Sequence, residues 1–275
     1  MPGYINYNGT ILPENSAFIS ASNRSFRYGE GFYASVRVSN GNVSLWDLHV
    51  ERLKLAIETL GFKQPKFFST DVLKDQLLKL CNKNNVTKAR VRITFFQGSG
   101  GFFDDSNNSL EYIIETWPLL DVIPRWNVNG LQIGIFTNGL KAIDTFSPIQ
   151  SNSALLQIMA AKFAKSNLWN DALILNHFNR IAESVIGNIF WIQSKQIFTT
   201  PLSEGPIDGV MRNYIVSKLP VIEKPFSLNL LPEIDEMFIA SPVRGIQWVK
   251  SCNNIEFSNL QIQTIYNSVI IPLFS

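Results

Sequence analysis

The chain has 275 residues, 45% apolar and 17% charged, with 24 basic and 22 acidic side chains giving a net charge of +2. That length and composition exclude a disordered chain and allow one large domain or two modest ones with a core that needs no disulfide or metal. The near-balanced charge leaves no electrostatic footprint for nucleic acid or for an anionic membrane.

In chain order, residues 4–13 read as a hairpin around Asn8-Gly9, a strong two-residue turn signal. Residues 31–38 alternate as a strand, Asn40-Gly41 turns, and residues 43–45 return. Leu48, Leu53, Ile57 and Leu60 follow at roughly helical spacing, with Gly61 as a stop. A second helix is predicted over 70–82, then strands over 88–96 and 111–117 on either side of the glycine-rich 98–101. Residues 118–129, with two prolines, read as an interdomain linker. Beyond it the pattern predicts a strand over 131–137 and a helix over 152–166 with Leu155, Ile158, Met159 and Phe163 on one face. Strands over 171–175 and 188–192, a helix over 208–219, and short strands over 237–240 and 247–249 complete the pass. Residues 262–274 are apolar, too short to span a bilayer, and read as a packed terminal helix or strand. No repeat and no low-complexity tract interrupts this order.

Chemistry-bearing residues are sparse. His49 and His177 have no Cys or His partner at ligand spacing, which argues against a structural zinc. Cys81 and Cys252 lie far apart, and the N-terminus has no basic region followed by an apolar one, so a reducing, cytoplasmic setting is expected. No nucleophile-elbow signature is present. The turn Ser203–Arg212 feeds a helix, whose unpaired first N–H groups could take an anion or, as at most such junctions, bind nothing. His49 and Arg52 share a helix face, where Arg52 could clamp a phosphate or simply meet solvent. Glu183 could hold a pyridine nitrogen, or could be a surface-loop acid pairing with Arg180.

Several blocks lift these signals together. Tyr28-Gly29-Glu30-Gly31-Phe32-Tyr33 through Val38, then Asn40-Gly41, then His49-Val50-Glu51-Arg52-Leu53 resemble the N-terminal signature of the class IV (fold type IV) pyridoxal-phosphate enzymes. The likeness is to aminodeoxychorismate lyases first, then to branched-chain and D-amino-acid aminotransferases. Gln97-Gly98-Ser99-Gly100-Gly101 resembles the lyase's glycine-rich segment, with Gln97 where the family usually has arginine. The blocks around Asp171, Glu183-Ser184, Gly187-Asn188 and Gly205 to Arg212 continue the resemblance in order.

The resemblance implies an α/β (α+β) fold, with a small N-terminal α/β domain over 1–120 and a larger barrel-like domain over 121–275. It implies a cofactor cleft between the two and a homodimer. It also implies pyridoxal 5'-phosphate as cofactor and a small amino-group-bearing substrate. Arg52 and the backbone at Gly209, Val210 and Met211 would take the phosphate, with Ser241 nearby, although Pro242 departs from the usual residue after it. Glu183 would meet the ring nitrogen, and Tyr28, Tyr33 and Gln97 would border the substrate. The family's Schiff-base lysine aligns with Gln150. An amide is neither a usable nucleophile nor a base in range. Three readings therefore stay open: an active lyase or aminotransferase, an impaired homologue that binds the cofactor noncovalently, and a scaffold.

Overall fold

Asn8 and Gly9 take φ values of 48° and 91°, as a tight hairpin turn requires, and β1 (Tyr4–Tyr7) folds back on β2 (Thr10–Pro13). The structure is a computed structural model describing residues 3–16, 19–66, 68–104, 109–121 and 123–274. It divides into two compact units, residues 1–122 with 150–153, and residues 123–149 with 154–275.

In the first unit the hairpin is followed by α1 (Arg24–Tyr28), β3 (Gly31–Ser39), β4 (Asn42–Val43), α2 (Trp46–Thr59), α3 (Thr70–Lys83), β5 (Lys88–Gln97) and β6 (Leu110–Pro118). The sheet runs β2-β1-β6-β5-β3-β4, all antiparallel. Period-two alternation buries Phe32, Ala34 and Val36 on β3, and Val91, Ile93 and Phe95 on β5. Leu53, Ala56 and Ile57 of α2 and Leu73, Leu77 and Leu80 of α3 are buried with them. The predicted return over 43–45 is cut short because Leu45 turns left-handed (φ 56°) to start α2.

The second unit comprises β7 (Leu131–Lys141), α4 (Leu155–Ser166), β8 (Asp171–Asn176), β9 (Arg180–Ser184), β10 (Asn188–Gln193), β11 (Gln196–Thr199), α5 (Val210–Lys218), β12 (Val221–Glu223), β13 (Phe226–Ser227), β14 (Glu236–Ser241), β15 (Gly245–Cys252) and β16 (Ile255–Glu256). It ends in α6 (Leu260–Ile265), a π turn and α7 (Ile271–Phe274), so the apolar C-terminus is helical. Strand order is β12-β11-β10-β14-β15-β7-β8-β9-β13, with β16 on β15. β7 is parallel to both β8 and β15. The sheet curls until Trp191 of β10 stacks on Phe226 of β13 at 4.2 Å, although those strands lie far apart in the order. The enclosed core includes Leu173, Ile181, Ile189, Met237, Ile239 and Val249.

α4 packs through Ala160 and Ala164, with Leu156 and Phe163 partly buried, against Phe136, Ala172 and Ile174. Leu155, Ile158 and Met159, three of the four apolar residues read onto one face, are 69%, 51% and 46% exposed. The strands approach closely where the helix offers small residues, and that turns the larger side chains outward. The helix also begins at Leu155 rather than at 152, because residues 150–153 run extended beside β3.

Candidate functional site

Glu183 lies within β9, next to its last residue, paired with Ile174, and is 2% exposed. It is not a surface-loop acid, and Arg180 is not its partner. Arg180 instead grips Glu204 through two hydrogen bonds of 2.6 and 2.7 Å, supported by Asn176 Nδ2. Around Glu183, Lys141 Nζ lies 3.1 Å from Oε1, Gln157 Nε2 donates to Oε1 at 3.3 Å, and the Ile207 amide donates to Oε2 at 2.7 Å.

The last of these bonds ties Glu183 to the start of α5. The Ile207 carbonyl accepts from Asn188 Nδ2 at 2.8 Å, and Asn188 Oδ1 lies only 1.8 Å from where a Cβ on Gly209 would stand. Glycine at 209 is therefore a space requirement. Gly205 (φ 88°) makes the turn, and a Cβ there would meet the Ala142 carbonyl at 2.4 Å. The nine-residue α5 has Gly209 as N-cap with no side-chain cap, so the amides of Val210 and Met211 open the helix at its positive end. Ser241 closes β14 opposite Gly245, and its Oγ accepts from the Arg244 amide at 3.4 Å.

The turn after Glu183 has its own anchor. Asp171 Oδ1 accepts from the Ala172 and Val185 amides at 2.7 and 3.1 Å. Burial pushes the Asp171 carboxyl up from 3.8 to about 6, against hydrogen bonds that pull it down. An acid raised in the folded chain contributes stability that is full below about pH 4 and lost as pH rises through its folded value, here about 3 kcal/mol. Asp171→Asn lacks that loss. Urea unfolding at pH 4 and pH 7.5 is expected to show the variant gaining about 2–3 kcal/mol on the wild type between the two. A constant gap would refute the assignment.

The first unit holds the remaining predicted residues. Arg52 is half-buried on α2. His49, one turn earlier, is 3% exposed, and neither ring nitrogen is hydrogen-bonded among the described residues. Burial, then the Arg52 charge, hold its pKa well below the usual value, so it is a neutral core residue and not part of a solvated face. Tyr28 packs edge-on against Phe102 at 5.2 Å. Tyr33 lies under the Arg92 guanidinium, 3.8 Å from the ring centroid. Gln97 is buried at 3%.

Asn23 caps α1 by accepting from the Ser25 and Phe26 amides, and donates to the Gln97 carbonyl. Arg24 bonds Glu30 and the Gly101 carbonyl, which pins the glycine-rich loop to α1. The backbone at Gln150 is fixed, since its carbonyl accepts from the Tyr33 amide at 2.9 Å and the Asn152 amide donates to the Gly31 carbonyl at 3.0 Å.

The structure thus joins Glu183 to the Gly209 turn and its helix in one unit, and Tyr33 to Gln150 in the other. It adds Lys141, Gln157 and Arg92, which the sequence reading missed as site residues. Lys141 lies beyond the strand predicted over 131–137, so nothing in the sequence reading aimed it at Glu183. Arg92 becomes visible only once the register sets Tyr33 opposite Thr94.

The family model for amino-transferase class IV matches residues 31–252. The chain belongs to the class IV aminotransferase family. Among curated members, aminodeoxychorismate lyase of Vibrio harveyi is 23% identical over 248 residues, covering 87% of this chain and 90% of the relative. Two solved class IV enzymes share the fold. The branched-chain aminotransferase of Thermoproteus uzoniensis with norvaline has a TM-score of 0.88 at 18% identity, covering 100% of this chain and 95% of that one. The 4-amino-4-deoxychorismate lyase of Pseudomonas aeruginosa has a TM-score of 0.81 at 20% identity, covering 96% of this chain and 99% of that one. The expected mixed α/β fold with a curled sheet is the fold of these class IV enzymes.

Proposed function

We propose that this class IV protein binds pyridoxal 5'-phosphate noncovalently and presents it to an amino-group-bearing small molecule for transamination or lyase chemistry. The observation that carries the reading is Glu183, a buried carboxylate with three donors, coupled through Ile207 and Asn188 to an uncapped helix start at Gly209. The residues fit the group. A carboxylate accepts about four hydrogen bonds, so one position on Oε2 stays open for a ring N–H. The Val210 and Met211 amides, which open α5 behind the uncapped Gly209, are suited to a phosphate.

When bound, the cofactor supplies an electron sink for bond breaking at the substrate's α-carbon. Glu183 holds the ring-nitrogen proton in place. Arg52 clamps the phosphate with paired N–H donors, and the Val210 and Met211 amides complete its cradle, with Ser241 nearby. Tyr28 and Tyr33 border the substrate. Gln97, where the family carries arginine, is buried and leaves recognition of a substrate carboxylate to other groups such as Arg92. Gln150 orients by hydrogen bonding but moves no proton, so turnover is slow compared with a lysine-bearing relative.

A catalytically impaired, cofactor-binding role is favoured by that same glutamine. The outward Leu155, Ile158 and Met159 support a homodimer in which a second copy covers them. Two buried free cysteines support a cytoplasmic setting, and among the described residues no helix is long and apolar enough to cross a membrane.

The test is the absorbance of the protein incubated with pyridoxal phosphate and desalted, with intact mass after borohydride and turnover assays on amino acids and aminodeoxychorismate. Retained cofactor with an aldehyde-like spectrum and no covalent adduct is expected. A covalent adduct would place a lysine at the work and remove Gln150 from the reading. No retention would leave only the fold.

A further inference from the structure

The carboxylate at Glu183 has a partner that the proposed chemistry does not require. β7 pairs with β8 from Ile133 to Phe136, loses register, and pairs again only at Lys141, opposite Asn176. Such an irregularity re-aims the side chains that follow it. Lys141, at the strand's end, thereby turns inward, and its side chain is 9% exposed against 3% for Glu183, with 3.1 Å between the charged atoms. Lysine is almost never buried this far unless it is paired.

We propose that Lys141 is a positioning residue for Glu183, fixing which carboxylate oxygen meets the cofactor ring; this rests on the reading of Glu183 given above. Lys141 and Gln157 together occupy Oε1, and the Ile207 amide takes one position on Oε2. The remaining position on Oε2 is the one left for a ring nitrogen. Three donors from three different segments set the plane of the carboxylate, and Lys141 is the only charged one. Without it, a buried carboxylate would stand without a cation, a costly arrangement that favours reorientation or neutralisation.

Lys141 is not a displaced covalent anchor. In pyridoxal phosphate the aldehyde carbon is para to the ring nitrogen, so an amine engaged with the nitrogen's own partner sits at the opposite end of the ring. Because Gln150 removes the covalent tether, the ring's hold depends on contacts such as this one, and the effect of losing Lys141 falls directly on affinity.

The experiment uses the full-length chain with Lys141→Met, Lys141→Arg, Glu183→Gln and the double variant. Affinity is read by spectroscopic titration with pyridoxal phosphate, and ring protonation by the nitrogen-15 shift of labelled cofactor. Thermal melting without cofactor checks that each variant folds. Lys141→Met is expected to weaken binding by about 10–100-fold and to move the ring signal toward unprotonated pyridine. Lys141→Arg is expected to recover most of both. The double variant should lose no more than Glu183→Gln alone, because Lys141 acts through Glu183. Unchanged affinity and ring signal in a Lys141→Met protein with a lowered melting point would reduce the pair to a structural ion pair and overturn the proposal. A borohydride adduct mapped to Lys141 would also overturn it. Binding by the wild type that ignores Lys141 sinks this inference alone, whereas absence of binding by the wild type sinks the cofactor reading and this inference with it.

Discussion

Gln150→Lys is expected to turn noncovalent retention of pyridoxal phosphate into a borohydride-stable covalent attachment, and to raise turnover of an amino substrate by about 10²–10⁴-fold. The substitution supplies the two things an amide lacks, a nucleophilic nitrogen and a titratable one. The backbone is prepared for it. The Gln150 carbonyl is held by the Tyr33 amide and the Asn152 amide by Gly31, so the change is confined to the side chain. The loop before it is also built: Asp144 Oδ1 accepts from the Phe146 and Ser147 amides, and the Asp208 amide donates to the Pro148 carbonyl. Intact mass after borohydride, with peptide mapping, checks the attachment point. A variant that folds, binds the cofactor, and forms no adduct at 150 would show that this position is not the anchor site.

Trp191→Ala is expected to cost about 3–5 kcal/mol of stability, close to the whole margin of a marginal domain. Trp191 is fully buried and stacked between Phe226 at 4.2 Å and Phe198 at 5.5 Å, where the curled sheet closes on itself. Its indole N–H has no hydrogen-bond partner among the described residues. Trp191→Phe therefore gives up ring area but no polar contact, and a loss of only about 1–2 kcal/mol is expected. Urea unfolding of the two variants checks the contrast, and equal losses would mean that ring area is not what Trp191 contributes. The loss reaches the site, because the same strand begins at Asn188, which holds the turn before α5.

The sequence showed the elements whose signals are local. The Asn8-Gly9 turn, the alternation along β3 and β5, and the periodic leucines of α3 all correspond to what the chain forms. The class IV blocks led to Glu183 and to the helix after Gly209, and the fold connects those two through Ile207. Whatever depended on pairing between distant segments was hidden. β9 was missed because five residues between two turns carry little periodicity, and Glu183 consequently looked like a loop acid. Lys141 stayed hidden because its inward aim comes from a register shift between β7 and β8, which no spacing along one strand encodes. The outward turn of Leu155 and Ile158 depended on the closeness of β7 and β8 to Ala160 and Ala164.

The pinning of the glycine-rich loop has a kinetic consequence. Glycine-rich segments lose the most conformational freedom when a ligand closes on them. Here Asn23 and Arg24 have already removed that freedom during folding, with Phe102 and Phe103 left 69% and 94% exposed on the fixed loop. A molecule docking on this edge would need no separate step in which Gly98 to Gly101 order, because these residues are already bonded to the start of α1 and the turn before it.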